Sequence, residues 1–278
     1  MAVTRLVLQQ TLRYDYPSPV RRLHHHLMVL PPARHGDQQR ISSTIEVRGA
    51  KAEVVESTDV FGNIAVEVRA GRVQACVEFV VGVVVERDDG PLPASEAGDS
   101  ARLLVPTALT APDAALAAVA HRLLASGDTG LALADRVNAW VAQAMRYRHD
   151  VTGVRTTAAE ALALGVGVCQ DYAHVMLALC RLCALPARYV SGHLVGEGGS
   201  HAWVEVLVSS QDGVGSSFTA VAFDPTNDRR AGARYLTVAV GRDYVDVAPT
   251  HGTYSGAPGG GLTTCKSLEE EAVELVLC

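Results

Sequence analysis

The chain has 278 residues, 48% of them hydrophobic, which is enough to bury a substantial core in one large domain or two smaller ones. The formal net charge is −6 and the basic residues are scattered, which excludes the basic surface typical of nucleic-acid-binding proteins. Six cysteines are too few for a disulfide scaffold. No uninterrupted apolar run reaches about 18 residues, and the N-terminus lacks a secretory-signal pattern. These features predict a soluble, cytoplasmic protein without a membrane partner.

The first part of the chain has the alternating pattern and turn signals of a β-rich module. Turns are indicated by Arg34-His-Gly-Asp37 and Phe61-Gly-Asn63. Residues 88–100 are polar and rich in Pro and Gly, which is typical of a linker. We therefore predict a β-sandwich-like N-terminal domain that, with its linker, occupies residues 1–100. Its predicted strands are 5–12, 23–30, 41–47, 52–56, 64–68 and 73–85.

A second domain, predicted over residues 101–278 and including the C-terminal strands, begins where the hydrophobic period becomes helical. Two amphipathic helices are predicted at 113–125 and 131–145. Thr157-Ala-Ala-Glu160 has the spacing of a capping box, in which the first and last side chains bond each other's backbone N–H groups. It predicts a short helix that ends at Gly165.

The following segment predicts a central helix packed on a sheet. Apolar residues fill nearly every position of 169–183, and Gln170, His174 and Arg181 form one narrow polar stripe. Pro186 ends this helix. Predicted strands follow at 187–194, 201–208 and 218–223. Together these elements predict an α+β fold with a helix on an antiparallel sheet.

Three residues in this region have the chemistry of a nucleophilic triad, namely Cys169, His201 and Asp224. Cys169 follows glycines 165 and 167 and is predicted at the first turn of its helix. Unpaired N–H groups and the positive end of the helix dipole favour a thiolate there. The same N–H groups could bind the oxyanion that forms when sulfur attacks a carbonyl.

A hairpin would bring His201 and Asp224 together. If the polar segment 209–217 connects two paired strands, the register in which 208 faces 217 places His201 opposite Asp224. The carboxylate would fix the imidazole tautomer, leaving the other nitrogen to deprotonate Cys169 and protonate the leaving group. Taken singly, each residue is also compatible with a structural role, since buried cysteines are commonly inert.

Several phrases resemble the bacterial group of the transglutaminase-like, papain-related cysteine enzyme superfamily that carries an N-terminal β-domain. The resemblance covers most of the chain, and the phrases are Tyr14-Asp-Tyr-Pro-Ser-Pro-Val20, Asp59-Val-Phe-Gly-Asn63, Gly167-Val-Cys-Gln-Asp-Tyr-Ala-His174, Leu185-Pro-Ala-Arg-Tyr-Val-Ser-Gly192, His201-Ala-Trp-Val-Glu205, Phe223-Asp-Pro-Thr-Asn227 and Ala239-Val-Gly-Arg-Asp-Tyr-Val-Asp246. It implies a nucleophile helix on an antiparallel sheet, with Cys169 as nucleophile, His201 as general base and acid, and Asp224 as its orienting partner. It also implies that no metal or other cofactor is required.

Two positions depart from the pattern that the resemblance leads us to expect. Ala220 stands where an aromatic residue, usually Trp, is expected, and His193 stands where Tyr is usual. These departures predict a roomier or differently polar cleft. Candidate substrate contacts, besides the triad, are Gln170, Trp203, His193 and Arg242.

The triad predicts acyl transfer from an amide through a thioester. Hydrolysis by a cysteine peptidase or amidase is favoured, because water is always present and no amine-binding feature is visible. The alternatives are a transglutaminase or amide synthase that uses an amine acceptor, and an inactive binding or scaffold module. The predicted partner is a peptide, a protein or a small amide; the oligomeric state is open.

Two other patterns are interpreted as structural. Cys180-Arg-Leu-Cys183 has redox spacing but falls late in its helix, where a thiolate is not favoured. Strand alternation divides His24-His-His26 between two faces, which disfavours a metal site there.

Overall fold

The computed structural model describes residues 3–88, 100–209 and 218–272. Residues 89–99 of the predicted linker and 210–217 of the predicted hairpin loop lie outside the described residues. Six N-terminal strands occur in the predicted places, mostly with longer bounds, and a short additional strand forms at 34–35, inside the segment predicted as a turn. They are β1 Val3–Asp15, β2 Val20–Leu30, β3 Arg34–His35, β4 Gln38–Arg48, β5 Ala52–Thr58, β6 Ile64–Val73 and β7 Cys76–Asp88.

Two strands from the C-terminal end complete the N-terminal sheets. β15 (Thr250–Ser255) pairs with β2, and β16 (Gly261–Ala272) pairs with β1 along almost its whole length. The strand orders are β16-β1-β7-β4-β3 and β15-β2-β6-β5. The expectation that the C-terminal strands belong with the catalytic core is therefore corrected: they pair with the N-terminal sheets. Local sequence could not show this, because strand pairing is set by partners far away in the chain.

The two sheets bury alternate residues in a common core. On β7, Val77, Phe79 and Val81 are fully buried, as strict alternation predicts. From the other sheet, Leu23 and Leu27 are equally inaccessible and belong to the same hydrophobic cluster. Burying one such side chain stabilises the fold by about 1.5–3 kcal/mol. The predicted β-sandwich-like architecture is confirmed.

The second part of the chain contains the predicted helices. Asp113 caps one of them by accepting a hydrogen bond from the Leu116 N–H at 2.8 Å. The capping box is also formed, since Thr157 N–H donates to Glu160 at 2.8 Å and Glu160 N–H donates to Thr157 Oγ1 at 3.3 Å. The elements are α1 Ser100–Leu103, α2 Ala114–Leu124, α3 Gly130–Ala144, β8 Arg146–Tyr147, α4 Ala158–Leu164, β9 Val166–Gly167 and α5 Cys169–Leu182.

Helix α5 is the centre of this part, and residues 171–181 are all buried. It packs against a five-stranded sheet of order β13-β12-β11-β10-β14 and against α2, α3 and α4. This is the predicted α+β arrangement of a helix on an antiparallel sheet. The strands are β10 Ala187–Leu194, β11 His201–Ser209, β12 Phe218–Asp224, β13 Arg229–Arg230 and β14 Tyr235–Gly241.

Alternation along β11 divides its side chains between two cores. Ala202 and Val204 belong to the large cluster that includes α5. Trp203 belongs to a smaller cluster that also contains Tyr235 and against which Phe61 of the N-terminal part packs. The sheet therefore lies between α5 and the N-terminal sandwich.

Two buried amide side chains join the sandwich to the edge strand β14. Gln38 donates to the Thr237 carbonyl and accepts from the Thr237 N–H, both at 2.8 Å. Asn63 pairs in the same way with Val240, at 2.7 and 2.8 Å. Each amide satisfies one backbone donor and one backbone acceptor that would otherwise be unpaired at the sheet edge. The N-terminal part thus completes the sheet that carries His201.

Within the described residues, no helix combines the length and the apolar character needed to cross a membrane.

Candidate active site

Cys169 is the first residue of α5, as the glycine-flanked sequence predicts. Gly165 ends α4 in a left-handed conformation with φ 64°. A residue with a Cβ would adopt this conformation only at an energetic cost. Asp171 caps α5 by accepting from the Val168 N–H at 2.7 Å. A Cβ on Gly167 would lie 2.5 Å from Oδ2 of this carboxylate, so only glycine fits there.

The first turn of α5 supplies candidate oxyanion donors. The N–H groups of Asp171 and Tyr172 both donate to the Val168 carbonyl, at 2.8 and 3.2 Å. The N–H groups of Cys169 and Gln170 come before the first intrahelical bond, so they have no acceptor within the helix. They are positioned with the positive end of the helix dipole, beside the sulfur.

His201 begins β11 and Asp224 ends β12, and both side chains are buried. Nε2 of His201 lies 2.8 Å from Oδ2 of Asp224. The predicted register of the two strands was wrong by two residues, because Val204 faces Phe223 and Ser209 faces Phe218. A shift of two keeps side chains on the same face of a strand. His201 and Asp224 therefore meet diagonally instead of directly across the pair.

Asp224 is held as an anion by a dense set of donors. Oδ1 accepts from the N–H groups of Thr226 and Asn227 at 3.0 and 3.2 Å. Oδ2 also accepts from Nδ2 of Asn227 and from the Tyr235 hydroxyl, each at 2.7 Å. Burial opposes the charge, but the hydrogen bonds from His201 and from these neighbours lower the pKa of Asp224 below its usual value.

The His201 side chain contacts both other members of the predicted triad. Burial disfavours the charged imidazole, but hydrogen bonds with Asp224 and Cys169, and the negative charges of both, raise its pKa to about 10. Because Nε2 is bonded to Asp224, Nδ1 is the nitrogen available to Cys169. The three residues form a connected chain in which a proton can pass between sulfur and imidazole.

A cleft of about 580 Å³ opens in front of Cys169 and His201. Gln170, one of the candidate substrate contacts, lines this cleft. Sequence reasoning did not identify Glu197, whose carboxylate lines the cleft and lies 3.3 Å from Nδ1 of His201. The glycines around it, in Gly196-Glu-Gly-Gly-Ser200, were the available sequence signal for a loop at the site.

The other three predicted substrate contacts lie outside this cleft. Trp203 is 1% exposed and stacks behind His201, with ring centroids 6.1 Å apart, so it supports the imidazole from the interior. Arg242 is paired with Asp246 at 2.8 Å and does not line the cleft. His193 lines a separate, adjoining cavity. Trp203 and Arg242 are thus corrected from substrate contacts to supporting residues, because their side chains are engaged elsewhere.

Ala220 also lies away from the cleft. It faces Leu207 across the strand pair and lines a different cavity, shared with His35 and Arg188. The expectation that Ala220 widens the cleft is therefore wrong.

The polar stripe on α5 points mostly into the protein. His174 is fully buried and its Nε2 accepts from the Tyr244 N–H at 3.2 Å. Burial lowers the pKa of His174 to about 4, so the ring is neutral and able to accept. Arg181 donates to the Arg242 carbonyl at 2.5 Å. These two residues fix the segment that carries Tyr244, which lines the cleft.

The remaining cysteine and histidine patterns have structural surroundings. Burial raises the pKa of both the Cys180 and the Cys183 thiols, which keeps them protonated. His24 and His26 both bond the Glu67 carboxylate. In the described ranges, no group of three or more His, Cys, Asp or Glu residues is arranged to hold a metal ion.

Two family models match separate parts of the chain. Residues 117–222 match the model of the transglutaminase-like superfamily, and residues 6–86 match that of the bacterial transglutaminase-like N-terminal region. The chain therefore contains a transglutaminase-like core and a bacterial transglutaminase-like N-terminal region. The resemblance read from its motifs is confirmed, and the second match covers the sandwich that completes the sheet.

Two uncharacterized curated relatives are similar to parts of this chain. An uncharacterized protein of Mycobacterium leprae, ML0607, is 38% identical over 164 residues, which are 55% of this chain and 55% of the relative. The uncharacterized protein Rv2569c of Mycobacterium tuberculosis is 38% identical over 38% of this chain and 36% of its own length. The matched region thus spans about half of the first relative and a third of the second.

A crystal structure from Cytophaga hutchinsonii, of a protein provisionally assigned as a cysteine protease, has the same fold. The TM-score is 0.79 at 19% identity, covering 99% of this chain and 93% of that one. The likeness extends over both parts of the molecule, so the sandwich and the helix–sheet core occur together in that protein too.

Proposed function

We propose that this transglutaminase-like protein is a cysteine-dependent acyl-transfer enzyme that acts on amide bonds. The observation that carries the proposal is the position of His201, whose ring bonds Asp224 at 2.8 Å and also hydrogen-bonds Cys169. A thiol, an imidazole and an orienting carboxylate in this order are the parts that nucleophilic catalysis at a carbonyl needs.

The proposed reaction begins with attack of the Cys169 sulfur on the amide carbon, while its proton resides on His201. The Cys169 and Gln170 N–H groups stabilise the oxyanion. The C–N bond then breaks, the amine leaves with the proton from His201, and an acyl thioester remains on Cys169.

In the second step, water attacks the thioester carbon and gives its proton to His201. The C–S bond breaks, the carboxylic acid is released, and the thiol is restored. When water is the acceptor, the protein acts as a peptidase or amidase. We favour this hydrolytic reaction. The proposed substrates are peptide, protein or small amides.

Glu197 favours a second candidate, transfer of the acyl group to an amine. Its carboxylate is 41% exposed in the cleft and lies beside Nδ1 of His201. An acidic side chain at this position could hold a cationic amine close to the base that must deprotonate it. The amine would then attack the thioester in place of water and form a new amide bond.

Two measurements test the proposal. Iodoacetamide alkylation near neutral pH, followed by peptide mass spectrometry, should label Cys169 faster than the other thiols, and His201→Ala should remove this preference. Equal labelling of all thiols in the wild type would instead support an inactive binding module. Peptide products from a cell extract, compared between wild type and Cys169→Ala, then separate hydrolysis from amide formation.

A further inference from the structure

A second cavity of about 230 Å³ adjoins the cleft. The two spaces share one wall, which is formed by Ser191, Ser200, Tyr244 and Pro249. The cavity is smaller than the ~300–1,000 Å³ of typical small-molecule pockets, so it fits one substrate side chain rather than a whole ligand.

The walls of this cavity come from both parts of the molecule. One wall is formed by Gln10 and Leu12 of β1, Met28 of β2 and Thr264 of β16. The opposite wall belongs to the five-stranded sheet that carries His201. The cavity therefore exists only because β16 returns to the N-terminal sandwich and the sandwich is held against β10 and β14. This geometry gives the N-terminal part a direct contact with the space beside the nucleophile.

His193 lines the cavity and is 4% exposed. Its ring is hydrogen-bonded to the Gly199 backbone, whose carbonyl also accepts from Nζ of Lys266 at 2.6 Å. Among the described residues, Nδ1 of His193 has no hydrogen-bond partner. Burying a nitrogen without a hydrogen-bond partner costs free energy, and such atoms in native proteins commonly bind a ligand or a water molecule.

The chemical state of His193 defines what it can bind. Burial lowers its pKa to about 3, and the nearby positive charge of Lys266 acts in the same direction, so the ring is neutral. With one ring nitrogen donating to the Gly199 carbonyl, Nδ1 is an acceptor. It attracts a neutral hydroxyl or amide N–H and repels a carboxylate, while Lys266 disfavours a cation.

We propose that this cavity, with His193 as its specificity-determining residue, binds an uncharged hydrogen-bond-donating side chain of the substrate's acyl portion. Serine, threonine, asparagine and glutamine side chains have this chemistry. The proposal rests on the proposed function, since it assumes that Cys169 attacks the carbonyl next to the bound side chain. It makes the substitution of His193 for the tyrosine expected from the family a determinant of substrate choice.

The test uses the full-length protein and two isosteric reagents, the chloromethyl ketones of N-acetyl-threonine and N-acetyl-valine. In each, the Cys169 sulfur displaces chloride and forms a thioether, which intact-protein mass spectrometry measures. Threonine differs from valine by one donor, so we expect it to react up to about tenfold faster, the effect of one hydrogen bond. His193→Leu should abolish this ratio.

A second variant provides a test that does not depend on correct folding of His193→Leu. Thr264→Trp fills the cavity from an exposed position on β16, and Thr263→Trp places the same ring on the opposite face of that strand as a matched control. Thr264→Trp should slow both ketones at least fivefold while iodoacetamide, which is too small to need the cavity, keeps its rate. Thr263→Trp should match the wild type with all three reagents.

The outcomes separate the two proposals. If iodoacetamide fails to select Cys169 in the wild type, the proposed function falls and the cavity proposal falls with it. If iodoacetamide selects Cys169 but threonine and valine reagents react equally, only the cavity proposal is overturned. An unchanged threonine preference in His193→Leu, or ketone rates in Thr264→Trp equal to those of the wild type, also overturns it.

Discussion

His201 and Asp224 are joined by a 2.8 Å hydrogen bond although they do not face each other in the sheet. Continuing the observed register from Val204 and Phe223 would put Asp224 opposite Trp203, so the carboxylate reaches back diagonally to the imidazole. Such diagonal neighbours lie farther apart than direct ones and meet only when side chains lean toward each other. The donors around Asp224 supply this orientation, and they make its substitution informative.

Asp224→Asn should reduce the rate at which chloromethyl ketones alkylate Cys169 by about 100-fold or more, because an amide neither stabilises the imidazolium nor maintains the tautomer. The rate of N-acetyl-threonine chloromethyl ketone labelling measures the loss. Asn227→Ala is the matched control, since it removes one neutral donor to the same carboxylate and should cost about tenfold or less. Equal losses in the two variants would contradict an orienting role for the Asp224 charge.

The protonation of His201 should depend on both of its partners. Its pKa is raised to about 10 by Asp224 and Cys169 against the effect of burial, so the ring should be charged at neutral pH. Asp224→Asn and Cys169→Ala should each lower this pKa, because each removes a negative charge from the imidazolium. Histidine side-chain NMR titration measures the values. A wild-type pKa at or below 6.5 would contradict the connected arrangement.

The same shift predicts a pH dependence of stability. The folded state holds the His201 proton more tightly than the unfolded state, so its contribution is complete below the unfolded value of 6.5 and is lost as pH rises toward about 10. Between these values the free energy of unfolding of the wild type should fall by an additional amount, on the order of a few kcal/mol, relative to His201→Gln. Urea unfolding curves at several pH values measure it. Parallel pH profiles would disagree with a raised pKa.

Gly167→Ala should damage the start of α5. The added Cβ would lie 2.5 Å from Asp171 Oδ2, so either the cap or the turn must shift. We expect destabilisation of about 1–3 kcal/mol and slower labelling of Cys169. Gly153→Ala is the control, since a Cβ there meets nothing within 4 Å and should leave both properties nearly unchanged. Denaturant unfolding and iodoacetamide labelling provide the readouts.

Gln38→Ala should weaken the attachment of the sandwich to β14. It removes two buried hydrogen bonds and leaves the Thr237 N–H and carbonyl unpaired, which costs about 2–3 kcal/mol. Gln39→Ala, at the adjacent exposed position, should change the free energy of unfolding by less than about 0.5 kcal/mol. If the two variants unfold at the same urea concentration, the amide pairing contributes no net stability.

Much of the local structure followed from the sequence because local forces specify it. The capping box at Thr157, the left-handed Gly165 and the start of α5 at Cys169 were predictable, since each depends on a few neighbouring backbone groups. The order of Cys169, His201 and Asp224 also predicted their grouping. The predicted register of the strands that carry the last two was wrong by two residues, because the alternating pattern defines the faces of a strand and a shift of two residues leaves those faces unchanged.

Contacts between segments that are distant in sequence could not be predicted from local patterns. Nothing near Tyr235 in sequence indicated that its hydroxyl would bond Asp224, and nothing near Lys266 indicated that it would hold the Gly199 carbonyl. Trp203 was expected in the cleft, but it stacks behind His201 in a buried cluster. Such side chains are positioned by the packing of several elements, which no local pattern describes.

The sequence by itself indicated most of the longer helices and strands, the transglutaminase-like resemblance and the three residues of the proposed triad, because hydrophobic period, caps and short motifs act over a few residues. Only the tertiary structure decided that β15 and β16 return to the N-terminal sandwich, and that the cavity lined by His193 lies between the two parts. The physical reason is that strand pairing and cavity shape depend on which buried surfaces meet. That choice is a property of the folded chain as a whole.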